Sequence, residues 1–267
     1  MLITFSSCFY LLKSKFDETT YINWMNNFIS IVNEFYLVIY TDEKSVKYID
    51  TTNNPRIKII IKPVDQFYTY KYKELWIQNH KNNTLLNNRI DWEVNMLWNE
   101  KIWFTNETCK NKYFETDYYG WCDIGYFRNN NNDINTSNLM NWGNNSKIEK
   151  INKNFVLYGL INNDLQYINN LKNIINTKND IRLPKTPIPE DQCSIAGGFF
   201  ICHKDKLEWW VETYYKKLEL YLTNNYLVKD DQIIIADCIF SQIKEFSLSR
   251  ENYLHYDNWF MFQRLLQ

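Results

Sequence analysis

One carboxylate, Asp123, lies in the stretch YYGWCDIGYFR (residues 118–128), and Arg128 follows three residues after Gly125. An acid at a strand end can hold a divalent cation only together with other ligands, waters and substrate phosphates, as Mg2+ and Mn2+ sites often do. On spacing alone, the plainer reading is an Asp that caps the turn that follows. Arg128 offers a bidentate fork for phosphate or carboxylate, or merely marks the strand exit. The chain has six glycines, and four fall in two places, Gly120 and Gly125 around WCDI and Gly197 with Gly198 in AGGFF. In a chain so sparing of glycine these are positions where the backbone must turn or admit a ligand closely, with turn and bulge geometry as the plain alternative.

Elements of the right kind flank these residues. MLITFSSCFYLL reads as a buried opening strand; a signal peptide fits it poorly, because a basic start and a small-residue cleavage pattern are missing. Tyr21, Trp24, Met25, Phe28 and Val32 then recur at helical spacing, and FYLVIYTDE returns as a strand. This predicts a βαβ unit with a parallel pair. RIKIII (56–61), YYGWCDIGYF, NFVLYGL and GGFFICH predict further strands, while residues 64–86 read as irregular. A long helix is expected from Ile90 through Val94, Leu97, Trp98 and Ile102, and another over LQYINNLKNII. Asp205 is expected to cap a helix that turns Leu207, Trp210, Val211, Tyr214 and Leu218 inward, and DDQIIIADCIFSQI predicts a last helix with acids at its start. RLPKTPIPED carries three of the five prolines and reads as a linker or an active-site loop. The pattern predicts an α/β fold, a Rossmann-like, mostly parallel sheet with helices on both faces and a mixed C-terminal half. Ligands bind such sheets beyond the carboxyl ends of the strands, where TDE (41–43) and DIG (123–125) fall.

Composition narrows the partners. Thirty Lys and Arg against 31 Asp and Glu, with no long run of one sign, lack the electrostatic footprint of a nucleic-acid binder. Aromatic residues at 17%, including 10 Trp and 20 Tyr, exceed what a core needs, so some should meet a ligand with flat apolar faces, such as a sugar or a base. Six cysteines without a C-x-x-C pair, beside three histidines, speak for reduced thiols rather than a zinc site. No run of eighteen apolar residues predicts a membrane span, and the expected compartment is the cytoplasm. The wealth of Asn, Ile, Lys and Tyr fits an AT-rich genome such as that of a large DNA virus or a protist; in the viral case the compartment would be the host cytoplasm.

The ordered set WCDIGYFR, the upstream LWNEKIWF and the downstream AGGFF and KDDQIII resembles the HtrL/YibB-type family of glycosyltransferases, which are similar to nucleotide-sugar transferases of the GT-A fold. The resemblance covers most of the chain. It implies a single GT-A-like domain over 1–267, with a nucleotide-binding half (1–130) and an acceptor-side half (131–267). The implied activity transfers a hexose from a nucleotide sugar, UDP-linked, to a glycan acceptor. Asp123 would bind Mn2+ or Mg2+ against the diphosphate, with Gly125 where a D-x-D motif has its second acid, so metal-independent action stays open. Lys101 matches a family lysine and would reach a phosphate or Asp123, or else belong to a solvated helix face. Asp231, with Asp230 behind it, would act as the base on an acceptor hydroxyl, or else cap the helix. The GT-A fold further implies His255, or Asp257 in its place, as a metal or phosphate ligand, Gly197 and Gly198 beside the donor, and Phe5, Ser6, Thr41 and Asp42 at the base and ribose. A carbohydrate-binding or scaffold protein without catalysis is the alternative. An aspartyl phosphatase is a distant third, since its usual second acid is missing.

Overall fold

A computed structural model describes residues 2–267. Along the chain run β1 (Ile3–Phe9), α1 (Glu18–Ser30), β2 (Tyr36–Thr41), β3 (Ile57–Ile61), α2 (Lys73–Asn82), α3 (Trp92–Trp98), α4 (Lys101–Lys110), β4 (Tyr118–Cys122), α5 (Asn145–Ile148), β5 (Val156–Gly159), α6 (Leu165–Asn176), β6 (Phe199–His203), α7 (Lys204–Thr223), α8 (Asp231–Ser241), β7 (Phe246–Ser249) and α9 (Phe262–Leu265). The strands form one sheet in the order β3-β2-β1-β4-β6-β5-β7. β3, β2, β1 and β4 are parallel neighbours, β6 runs antiparallel to both β4 and β5, and β5 pairs parallel with β7. The sheet is therefore mixed, and it continues unbroken from the first half of the chain into the second.

Alternation along the strands sends side chains into two cores. Leu37, Ile39, Tyr118, Cys122, Phe199 and Ile201 face one side, where Met25 and Phe28 of α1 pack. Val38, Tyr40, Tyr119, Trp121, Phe200 and Cys202 face the other, against α4, α6, α7 and α8. A period of two on each strand, with apolar residues at both parities, is what a sheet covered on both faces requires. The expected βαβ start is present, with Phe5 opposite Leu37 and Phe9 opposite Thr41.

Three local readings need correction. Residues 64–86 are not all irregular, because α2 lies within them; its buried face is only Trp76 and Asn79, too polar a pattern to stand out. The long helix expected from Ile90 is two helices. The Tyr215 hydroxyl donates to Asn99 O and accepts from Trp103 N, so a side chain is inserted into the backbone ladder between the residues that would have bonded each other. α7 begins at Lys204 with His203 as its cap, the imidazole Nδ1 accepting from Asp205 N, so Asp205 lies inside the first turn. Its predicted inward face, Leu207, Trp210, Val211, Tyr214 and Leu218, is buried. Among the described residues no helix is long and apolar enough to cross a membrane.

Candidate active site

Chain order reverses between β1 and β4: β2 and β3 continue on one side of β1, and β4 lies on the other. Such a switch point leaves a crevice outside the carboxyl ends of the strands. Two adjoining hollows of about 310 Å3 each occupy it, sharing Phe16, Tyr21, Trp98, Lys101, Asp123, Gly125 and Arg128. The first runs along Cys8 to Leu12 with Val94, Leu97 and Trp121, and is the more apolar of the two. The second is polar, lined by Lys15, Gly197, Gly198, Asp230, Asp231, Gln232, Asp257, Trp259 and Phe260.

Antiparallel β6 explains why distant motifs meet here. Its first residue, Phe199, pairs with Cys122, the last of β4, so Gly197 and Gly198 lie against Asp123. Asp123 N donates to Gly198 O at 2.9 Å. A methyl group on Gly198 would come within 3.0 Å of Asp123 Oδ2, and one on Gly197 within 2.8 Å of Asp231 Oδ2. The glycine pair is there because two carboxylates press on that backbone.

Lys101, in the first turn of α4, joins them. Its Nζ lies 3.0 Å from Asp123 Oδ1 and 2.9 Å from Asp231 Oδ2, and it donates to Gly197 O at 3.0 Å. Lys101, in the turn that follows the break, reaches the carboxyl end of β4, so it is a buried bridge and not a solvated helix face. Burial works against its charge, but the Asp123 and Asp231 carboxylates outweigh that and hold it above the ordinary lysine range. Burial pushes the Asp231 carboxyl up to about 6; Lys101 opposes the rise, while Asp230 and Asp123 add to it. Trp121 Nε1 also donates to Asp123 Oδ1, at 2.6 Å, which leaves Oδ2 without a hydrogen-bond partner among the described residues. The Asp123 side chain is 40% exposed, unlike Asp231 at 7%.

The capping alternative fails for both acids of KDDQ. Asp230 occupies the N-cap position of α8 in extended geometry, yet its side chain makes no capping bond. Its Oδ2 pairs with Lys229 Nζ at 3.2 Å. Gln232 Nε2 donates to Ile195 O and ties the start of α8 to the segment leading into the glycine pair. Asn79 and Asn95 both donate to Val228 O, and Asn83 to Lys229 O, so α2 and α3 hold the turn that precedes the acids.

Arg128 Nε donates to Gly125 O, and its guanidinium lies 4.2 Å from the Trp24 ring and 4.8 Å from that of Phe260. No carboxylate pairs with it among the described residues, so its remaining donors are free for an anion. Lys15, 4.6 Å from the Trp98 ring, also lines the polar hollow and pairs with no carboxylate among the described residues.

Five sequence expectations are not met by position. Phe5 lies in the middle of β1, fully buried and stacked on Trp142 at 5.1 Å. Ser6 donates to Thr108 Oγ1 inside the core, and Thr41 donates to Phe9 O. Asp42 accepts from Ser45 N and closes a turn. None of these four lines the hollows; Cys8 to Leu12, further along the same strand, do. His255 is exposed and packs 4.0 Å from the Tyr256 ring, whereas Asp257 lines the polar hollow. The proline-rich segment 182–191 is irregular and lines neither hollow.

No group of three or more His, Cys, Asp or Glu residues fit to hold a metal occurs among the described residues. Asp123 Oδ2 is a half-exposed carboxylate oxygen without a hydrogen-bond partner among the described residues, and alone it could hold a cation only with substrate phosphates and water completing the shell. Lys15, Lys101, Arg128 and Lys229 balance Asp123, Asp230, Asp231 and Asp257, so the hollow and its rim are formally neutral. The sequence matches no known family model and no curated protein.

Proposed function

We propose that the chain is a GT-A-like glycosyltransferase of the HtrL/YibB type, moving a hexose from a nucleotide sugar, most simply UDP-linked, to a glycan acceptor. The observation that carries the reading is the meeting of Asp123, Lys101, Asp231 and the paired glycines at the carboxyl ends of β1 and β4, beside an aromatic hollow. The apolar hollow suits a nucleoside, and the adjoining polar hollow suits the diphosphate and sugar. Arg128, free of carboxylates, takes phosphate oxygens through its guanidinium. Because the polar hollow and its rim are formally neutral, a diphosphate brings uncompensated negative charge, and Asp123 Oδ2 is where Mn2+ or Mg2+ would be held. When bound, that ion neutralises the diphosphate and eases departure of the leaving group.

Asp231 serves as base on the acceptor hydroxyl. A carboxyl near 6 is ionised at neutral pH and still basic enough to accept a proton. Lys101 keeps the two carboxylates from repelling one another and fixes Asp231 relative to the glycine pair. Titration of UDP in the presence of Mn2+ by calorimetry tests the reading: binding is expected for the intact protein, with at least a tenfold loss for Asp123→Ala. Absence of UDP binding, or an Asp123→Ala variant that binds UDP unchanged, would overturn it. The bridge that Lys101 already makes between the carboxylates favours one second reading, a carbohydrate-binding or scaffold protein without turnover; its signature is glycan binding that ignores nucleotide and metal.

A further inference from the structure

Asp230 has no role in the chemistry described so far, yet it is 3% exposed and lines the polar hollow. Aspartate at an N-cap ordinarily accepts from the backbone of its own helix. Here that bond is not made, and Oδ1 is buried without a hydrogen-bond partner among the described residues. A buried carboxylate oxygen left unpaired is costly, and the cost is tolerated where a ligand supplies the missing donor. Lys229 satisfies only the other oxygen. An ionised carboxylate accepts hydrogen bonds and gives none, so the group it awaits is an O–H or N–H. Phosphate oxygens, which carry the negative charge of a nucleotide, are repelled from it.

We infer that Asp230 reads a hydroxyl of the sugar being transferred, and so sets which nucleotide sugar the site accepts. The inference rests on the nucleotide-sugar reading of the cleft. The group next to Asp231 is then a pyranose with a free hydroxyl turned toward α8, held between that helix and the Gly197–Gly198 backbone. Asp230 is a specificity residue and Asp231 the base, a division of work between adjacent acids that their different partners, Lys229 and Lys101, already mark.

Calorimetry with UDP and with UDP-glucose, UDP-galactose, UDP-N-acetylglucosamine and UDP-xylose, each with Mn2+, tests it. The intact protein is expected to bind at least one sugar nucleotide about ten- to a hundredfold more tightly than UDP, the range of one hydrogen bond to a charged group. Asp230→Ala should erase that preference while UDP itself binds as well or better, since a negative charge has gone. Asp230→Asn loses the same charge but keeps a carbonyl acceptor, so it should retain part of the preference. Retained UDP binding also reports that each variant is folded. The inference is overturned if no sugar nucleotide is preferred over UDP, or if Asp230→Ala keeps the preference. Failure of the intact protein to bind UDP at all would instead overturn the nucleotide-sugar reading and remove the premise.

Discussion

Asp231 meets Lys101 at 2.9 Å, and its carboxyl is pushed up to about 6 mainly by burial, against the pull of that lysine. The base must be ionised to accept a proton, so transfer is expected to rise with pH through about 6 and fall as acid protonates Asp231. A pH profile of kcat/KM, which reports the groups of the free protein, checks this. Asp231→Asn should flatten that limb and lower kcat by roughly 100- to 10,000-fold, the usual worth of a positioned base, while UDP affinity stays within a few fold. At the same scale, the sequence made Asp123 and Asp231 visible through their glycines and their order. It hid the reason for the glycines. Gly197 is small because Asp231, 34 positions later, would lie 2.8 Å from any methyl group there, and no local pattern carries such a contact.

Between α3 and α4 one hydroxyl decides where Lys101 points. Tyr215 takes the place of a backbone partner at Asn99 and Trp103, and the apolar spacing of α3 and α4 gives no sign of it. The asparagines of α2 and α3 are equally silent in sequence, where they read as solvated positions. Asn79 both donates to Val228 O and accepts from Val228 N, at 2.8 Å in each case. Asn79→Ala leaves the Val228 N–H without its partner, while Asn95 still donates to Val228 O, and is expected to cost about 2 kcal/mol of stability by urea denaturation. Because the turn it holds leads straight into Asp230 and Asp231, the variant should also lose kcat in transfer assays with little change in UDP binding.

One mixed sheet with a core on each face is expected to unfold as one unit, and no disulfide joins its parts. All six cysteines are free, with Cys122, Cys202 and Cys238 buried. Thermal melts with and without reductant are therefore expected to superimpose as one transition; a separate early transition, or a melt lowered by reductant, would contradict this. The α/β class, the βαβ start and most strands and helices could be read from the sequence, because apolar periodicity is a local property set by which faces must leave water. Strand order is not local. That β6 runs antiparallel, and so begins beside the end of β4, follows from how the whole sheet closes its two cores, and it is what brings residues 123, 197 and 231 together. The chain alone specified which residue types were available for chemistry; only the tertiary structure decided that Lys101 bridges the acids, that Phe5 and Ser6 belong to the core, and that Asp230 is left with an oxygen unpaired, since burial and pairing are properties of the assembled neighbourhood and not of any residue's place in line.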